Sequence, residues 1–121
     1  MNGRKRALVV SRHSPYGGTL AKSALDLALA AAAFDQPVEL LFMGDGVLQL
    51  LPAQEGNARG RKDMARQLAA LPLYDIDHVY ADVEAAARYG VELGAAPIAV
   101  HPLEPGAIRS LMQACDLLLG F

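Results

Sequence analysis

The sequence predicts an α/β fold: a single three-layer α/β/α domain built on a mostly parallel five-stranded sheet. Three observations carry that expectation. Short apolar runs alternate with stretches of helical periodicity along the chain. The clearest run, LLFMGDGVLQLLP from Leu40 to Pro52, reads as a buried strand passing through Gly44-Asp45-Gly46 directly into a short apolar helix. The length of 121 residues suits one domain, and no linker, internal repeat or low-complexity tract divides residues 1–121.

The elements follow in order. Ala7-Leu8-Val9-Val10 is a first strand, entered through Arg4-Lys5-Arg6. Ser11 to Gly18 is a loop, broken by Ser14-Pro15 and Gly17-Gly18. Thr19 to Phe34 predicts a helix with Thr19 as N-cap and Pro37 as its stop. Leu20, Ala24, Leu27, Ala31 and Phe34 fall on one face, and the alanines would allow close approach to a sheet or another subunit. Val38 to Met43 is nearly all apolar, as a central parallel strand covered on both faces should be. The Gly44–Gly46 turn and an apolar helix from Val47 to Leu51 come next, at the carboxyl edge where such sheets bind ligands or partners. Ala53 to Gly60 is a polar loop, and Arg61 to Leu71 a helix facing inward through Met64, Leu68 and Leu71. Ile76 to Ala81 is a third strand. Val83 to Tyr89 is a short helix closed by Gly90. Pro97 to Val100 is a fourth strand. Pro105 to Ala114 is the last helix, with Pro105 in its first turn, and Asp116 to Phe121 is a fifth strand.

Composition narrows the function classes. Hydrophobic residues make up 53% and charged residues 20%, enough to fill a core and leave apolar surface for subunit burial. A net charge of −2 and a pI near 5.8 argue against a binder of nucleic-acid backbone, so no direct nucleic-acid contact is expected. The single cysteine, Cys115, excludes an intramolecular disulfide and a cysteine-based zinc site, and suits a reducing compartment. The basic start lacks a signal-peptide core, and no apolar run approaches a membrane span. A cytoplasmic protein with no membrane partner is expected.

Few residues invite chemistry. Asp45, between two glycines, is placed to cap the helix that follows; the alternative is that its turn lines a site or a subunit contact. It has no second carboxylate nearby for paired acid–base work. Gly17-Gly18-Thr19-Leu20-Ala21-Lys22-Ser23 fails the phosphate-loop pattern: Ala21 and Tyr16 stand where glycines belong. His13, His78 and His101 lie on separate elements without metal-ligand spacing, although His13 and His101 could each reach the carboxyl edge of the sheet. Cys115 falls at helical spacing with Ile108, Leu111 and Met112 and reads as a small hydrophobe facing the core. Arg59, Arg61, Lys62 and Arg66, interrupted by Asp63, read as a solvated helix face; the alternative is a docking surface for an acidic partner or RNA. No cofactor, metal ligand or catalytic residue is indicated.

Three segments carry a family resemblance: FMGDGVLQLLPAQ, then LYDID from Leu73 to Asp77, then the closing CDLLLGF. Together with Pro15, Gly17 and Gly18 in the first loop and Leu103-Glu104 before the last helix, the chain resembles the TusC/DsrF family of DsrE-like sulfur-relay proteins. The resemblance implies a small α/β/α subunit. It also implies assembly with TusB/DsrH-like and TusD/DsrE-like relatives in a hetero-hexamer holding two copies of each. That complex would pass persulfide sulfur to a TusE/DsrC-like carrier, serving either 2-thiouridine at the tRNA wobble position or sulfur oxidation.

The resemblance also marks a departure. DsrE-type carriers hold a cysteine after the third strand, eight residues before a glycine that closes an alanine-rich helix; here that position is Asp82, ahead of Gly90. A carboxylate cannot hold a persulfide, so Asp82 is expected to cap the helix and the chain to transfer no sulfur itself. Two other readings stand beside this one. One is a stand-alone flavodoxin-like binder of a small ligand, set against 6% aromatic residues. The other is a homo-oligomeric DsrE-like protein without a relay role.

Overall fold

A computed structural model describes residues 5–15, 18–52 and 59–121, the side chains of 59–63 excepted. Five strands, β1 (Ala7–Ser11), β2 (Val38–Phe42), β3 (Val79–Asp82), β4 (His101–Leu103) and β5 (Leu117–Gly120), form one sheet in the order β4-β3-β2-β1-β5. Every pairing is parallel. The helices are α1 (Leu20–Ala33), α2 (Arg59–Ala70), α3 (Val83–Tyr89) and α4 (Pro105–Ala114). Short 3₁₀ helices occupy Gly44–Leu50 (η1), Leu71–Tyr74 (η2) and Leu93–Ala95 (η3).

The strand order dictates the layers. Parallel crossovers are right-handed. Stepping from β1 through β4 in one direction therefore puts α1, α2 and α3 on the same face. The return from β4 across the sheet to β5 puts α4 on the other. The packing agrees: Val9, Leu40, Phe42 and Ala81 meet Ala24, Leu25, Leu68 and Ala85 in one cluster. On the opposite face Leu8, Val10 and Leu41 meet Ile108 of α4. β1 is buried along its whole length, as its apolar run Ala7–Val10 requires, and the polar Ser11 at its end is buried with it.

Several elements differ from expectation. The fourth strand lies at His101–Leu103, not at Pro97–Val100; Tyr80 pairs with His101 and Asp82 with Leu103. The apolar run reaches the core as coil, with Ile98 buried, while Pro102 is tolerated because β4 is an edge strand. The inward face of α1 is Ala21, Ala24, Leu25 and Ala28, whereas Leu20 and Phe34 point to solvent. Thr19 occupies the N-cap of α1 without a side-chain capping bond. On α2, Met64 and Leu68 are buried as expected, as is Leu71 just beyond it. The Ala53–Gly60 loop largely, Tyr16-Gly17, and the side chains of Arg59, Arg61, Lys62 and Asp63 lie outside the described residues.

Candidate functional site

The loops that leave the carboxyl ends of β1, β2, β3 and β4 converge on one edge of the sheet. The Gly44-Asp45-Gly46 turn is its centre, and each glycine has its own reason. Gly44 adopts φ +54°, a left-handed conformation that side chains resist. Gly46 lies against β1: a Cβ there would sit 2.0 Å from the Ser11 carbonyl oxygen. Gly46 N–H donates to Met43 O at 2.9 Å, and Met43 N–H to Ser11 O at 3.1 Å. The turn is thus locked to the end of β1.

Asp45 does not cap. The N-cap of η1 is Met43, and no side-chain capping bond forms there. The 3₁₀ helix begins at Gly44 itself, so Asp45 is already within its first turn. It accepts a hydrogen bond from the Tyr89 hydroxyl at the end of α3. That bond, together with burial, raises the Tyr89 pKa above its usual value.

Gln49 ties the same region together from inside. It is buried, and its Nε2 donates to Ser11 Oγ at 2.7 Å and to the His13 carbonyl at 2.9 Å. This pins the start of the loop after β1 to η1. His13 is exposed at this edge. His101 is exposed as well but opens β4, at the start of that strand; its ring lies 5.8 Å from that of Tyr80, and the His78 ring lies 6.4 Å from Tyr80. Burial, and then the Glu39 carboxylate, raise the Tyr80 pKa. Glu39 itself is held by the Arg6 guanidinium at 2.8 Å, which raises the Arg6 pKa.

Asp82 ends β3 and caps α3. Its Oδ1 accepts from the backbone amides of Glu84 at 3.1 Å and Ala85 at 3.2 Å. Gly90, at φ +68°, closes the helix eight residues after Asp82, as the sequence predicts. Beside Asp82 lies a groove of about 330 Å³, with Met43, Pro105, Ile108 and Met112 as its apolar lining and Glu84 and Arg109 at its polar side.

No thiol stands there. Cys115 is the chain's only cysteine, and it closes α4 next to β5, whose first residue pairs with Ala7 at the opposite, amino edge of the sheet. It is half-buried against the α4-side cluster, with its thiol donating to Met112 O at 3.1 Å. Among the described residues no group of three His, Cys, Asp and Glu side chains could hold a metal ion, and no helix is long and apolar enough to cross a membrane.

The structure therefore brings Gly44, Asp45, Gly46 and Asp82 to one edge with His13, and separates Cys115, His78 and His101 from it. Gln49, Tyr89 and Arg109 are additional members of the edge. Gln49 had a visible signal, as the lone polar residue in VLQLL. The other two are placed by tertiary packing.

Residues 5–121 match the DsrE/DsrF-like family. A protein named TusC homolog from Pseudomonas aeruginosa is 38% identical over 93% of this chain and 94% of its own length. Protein TusC from Klebsiella pneumoniae is 34% identical over 97% of this chain and 99% of its own. The crystal structure of the ychN protein from E. coli superposes with a TM-score of 0.78 over 97% of this chain and 99% of that one, at 19% identity, a likeness of fold.

Proposed function

The chain belongs to the DsrE/DsrF-like family, and on that footing we propose that it is a non-catalytic, TusC-like subunit of a heteromeric sulfur-relay complex. The carrying observation is the head of α3. Where a persulfide carrier would present a thiolate, Asp82 spends its carboxylate on two backbone amides, and the only cysteine sits at the opposite edge of the sheet. A thiolate is the nucleophile of persulfide exchange, and a carboxylate beside one would raise its pKa. The chain then contributes structure to a complex whose relatives carry the thiol.

The partners in this reading are TusB/DsrH-like and TusD/DsrE-like subunits, two copies of each with this chain, and a TusE/DsrC-like carrier that takes the sulfur onward in the cytoplasm. The names of the curated relatives favour the branch ending in tRNA 2-thiouridine over sulfur oxidation. The test has two halves. Incubation of the purified chain with a persulfide donor should leave Cys115 unmodified by mass spectrometry, and a persulfide there would overturn the non-catalytic half. Co-expression with TusB- and TusD-like subunits from the same genome should yield one complex by size exclusion, and separate elution would overturn the other. A chain that eluted alone as a homo-oligomer would favour the reading without a relay role.

A further inference from the structure

We infer that β5 joins this chain to a second copy of itself, strand to strand and antiparallel about a two-fold axis; the inference goes beyond the subunit reading above and does not depend on it. β5 is an outer strand of the sheet, and its sequence, Leu117-Leu118-Leu119-Gly120, carries no proline and no charge. Such an edge is a template for another strand. The other outer strand, β4, is blunted by Pro102, which has no N–H to donate. The sheet can therefore extend at one end only, and two copies joined there close rather than polymerise.

The ladder shows which groups the edge offers. Leu117 N–H donates to Arg6 O at 3.1 Å, Phe121 N–H to Val10 O at 2.8 Å and Arg12 N–H to Phe121 O at 2.8 Å. A parallel ladder repeats every second residue, so Leu117, Leu119 and Phe121 turn their main-chain groups toward β1. Leu118 and Gly120 turn theirs outward. In an antiparallel pair with Leu118 of one copy opposite Gly120 of the other, every one of these outward donors and acceptors is matched. Each Leu119 then faces Leu119 of the other copy across the axis.

The side chains suit a second copy. Leu118 and Gly120 register with Leu8 and Val10 on the α4 face, and Leu119 with Val9 on the other. Leu117 and Leu118, 48% and 44% exposed, thus lie on opposite faces, and a strand laid against β5 covers both. Opposite charges flank the strand. Asp116 precedes it, and the Arg12 guanidinium lies over Gly120, 3.6 Å from where a Cβ would stand. Asp116 accepts from Arg6 N–H, while the Arg6 guanidinium is held by Glu39. Arg12 has no carboxylate partner among the described residues. Within one copy Arg12 and Asp116 sit at opposite ends of β5. In the antiparallel pair each Arg12 lies diagonally across from Asp116 of the other copy, within reach of a long side chain. A foreign strand would need the same charges in reverse order; β5 run antiparallel supplies them.

The experiment uses the full chain. Cys115→Ser removes the native thiol and keeps a donor for Met112 O. On that background Leu119→Cys puts thiols at a non-hydrogen-bonded antiparallel pair, with Cα atoms about 4.5 Å apart, within disulfide range. We expect mild oxidation to link two chains and a reductant to release them. Leu118→Cys, opposite Gly120, should stay unlinked. The joint is small, so the dimer is weak, and sedimentation should show it growing with protein concentration. Leu118→Lys should weaken it on the order of tenfold, and Arg12→Glu should weaken it less. At dilution β5 is a free edge, and melting temperatures taken there should match the wild type and show that the variants fold. A wild-type chain that stays monomeric at every concentration overturns the inference. So does a dimer in which Leu119→Cys stays unlinked, Leu118→Cys links instead, or Leu118→Lys has no effect. None of these outcomes touches the heteromeric reading, which the co-expressed subunits test. A photo-crosslinking residue at position 118 that, in the co-expressed complex, reaches a different subunit and never a second copy overturns the choice of occupant.

Discussion

Gly46 has no room for a side chain and Gly44 has room but the wrong backbone, so the two glycines of one turn should fail differently. A Cβ on Gly46 would meet the Ser11 carbonyl at 2.0 Å and its carbon at 2.8 Å, both backbone atoms that cannot rotate away. Gly46→Ala should cost about 3 kcal/mol or more, the upper end of overpacking. Gly44 has nothing within 4 Å of a Cβ, and its cost is the left-handed φ alone, about 1–2 kcal/mol for Gly44→Ala. Urea unfolding of the two variants checks the order; equal losses would mean that β1 yields to the turn. Asp82 makes a third residue-level case. Its two amide bonds are those of a helix cap, so Asp82→Ala should cost about 1 kcal/mol while Asp82→Asn and Asp82→Ser, which also cap, cost little. A loss in Asp82→Asn as large as in Asp82→Ala would show that the charge does something besides capping.

At the scale of elements, α1 shows where a sequence pattern stops being decisive. On α2 charged residues mark the outer face, so Met64 and Leu68 could be assigned inward from spacing, and both are buried. α1 reads LAKSALDLALAAAA, and its only polar side chains, Lys22, Ser23 and Asp26, mark the outer face in its first two turns alone, leaving the alanine-rich second half without a stripe of its own. The stripe with the larger residues, Leu20 and Phe34, is the natural reading; packing chose the alanines instead, because Ala21, Ala24 and Ala28 let the helix lie close on β1 and β2. Ala28→Leu should therefore destabilise by about 1–3 kcal/mol through overpacking. Leu20→Ala should stay within about 0.5 kcal/mol. Thermal melts separate the two, since each kcal/mol moves Tm by about 4 °C or more in a chain of this size. The same limit explains the site. The strand–turn–helix at Leu40–Pro52 and the cap at Asp82 are local and could be read from spacing. Asp45 bonding Tyr89 joins residues 44 positions apart, and the place of β4 is set by its pairing with β3 rather than by where the apolar run falls.

At the scale of the whole molecule, the strand order divides the core unequally, and that division has a dynamic consequence. Among the described residues, three helices cover one face over a cluster of twenty buried residues, whereas α4 alone covers the other, over a cluster of four. β5, which follows α4, is an edge strand with Leu117 and Leu118 half-exposed. Regions with few buried apolar contacts open at lower free energy than the whole. α4 and β5 should therefore release from the sheet while β1, β2, β3 and the α1 face stay folded. Cys115 reports this motion, since it is the chain's only thiol and is half-buried where α4 meets β5. Its labelling by an aromatic disulfide reagent, followed against urea, should show a shallower slope than global unfolding, because less surface is exposed. Ala28→Leu makes the test sharper. It strains the opposite face, which stays folded in the proposed opening, so it should lower global stability and leave the Cys115 labelling rate unchanged. If Cys115 were reached only through global unfolding, the same variant would accelerate labelling about tenfold for each 1.4 kcal/mol lost.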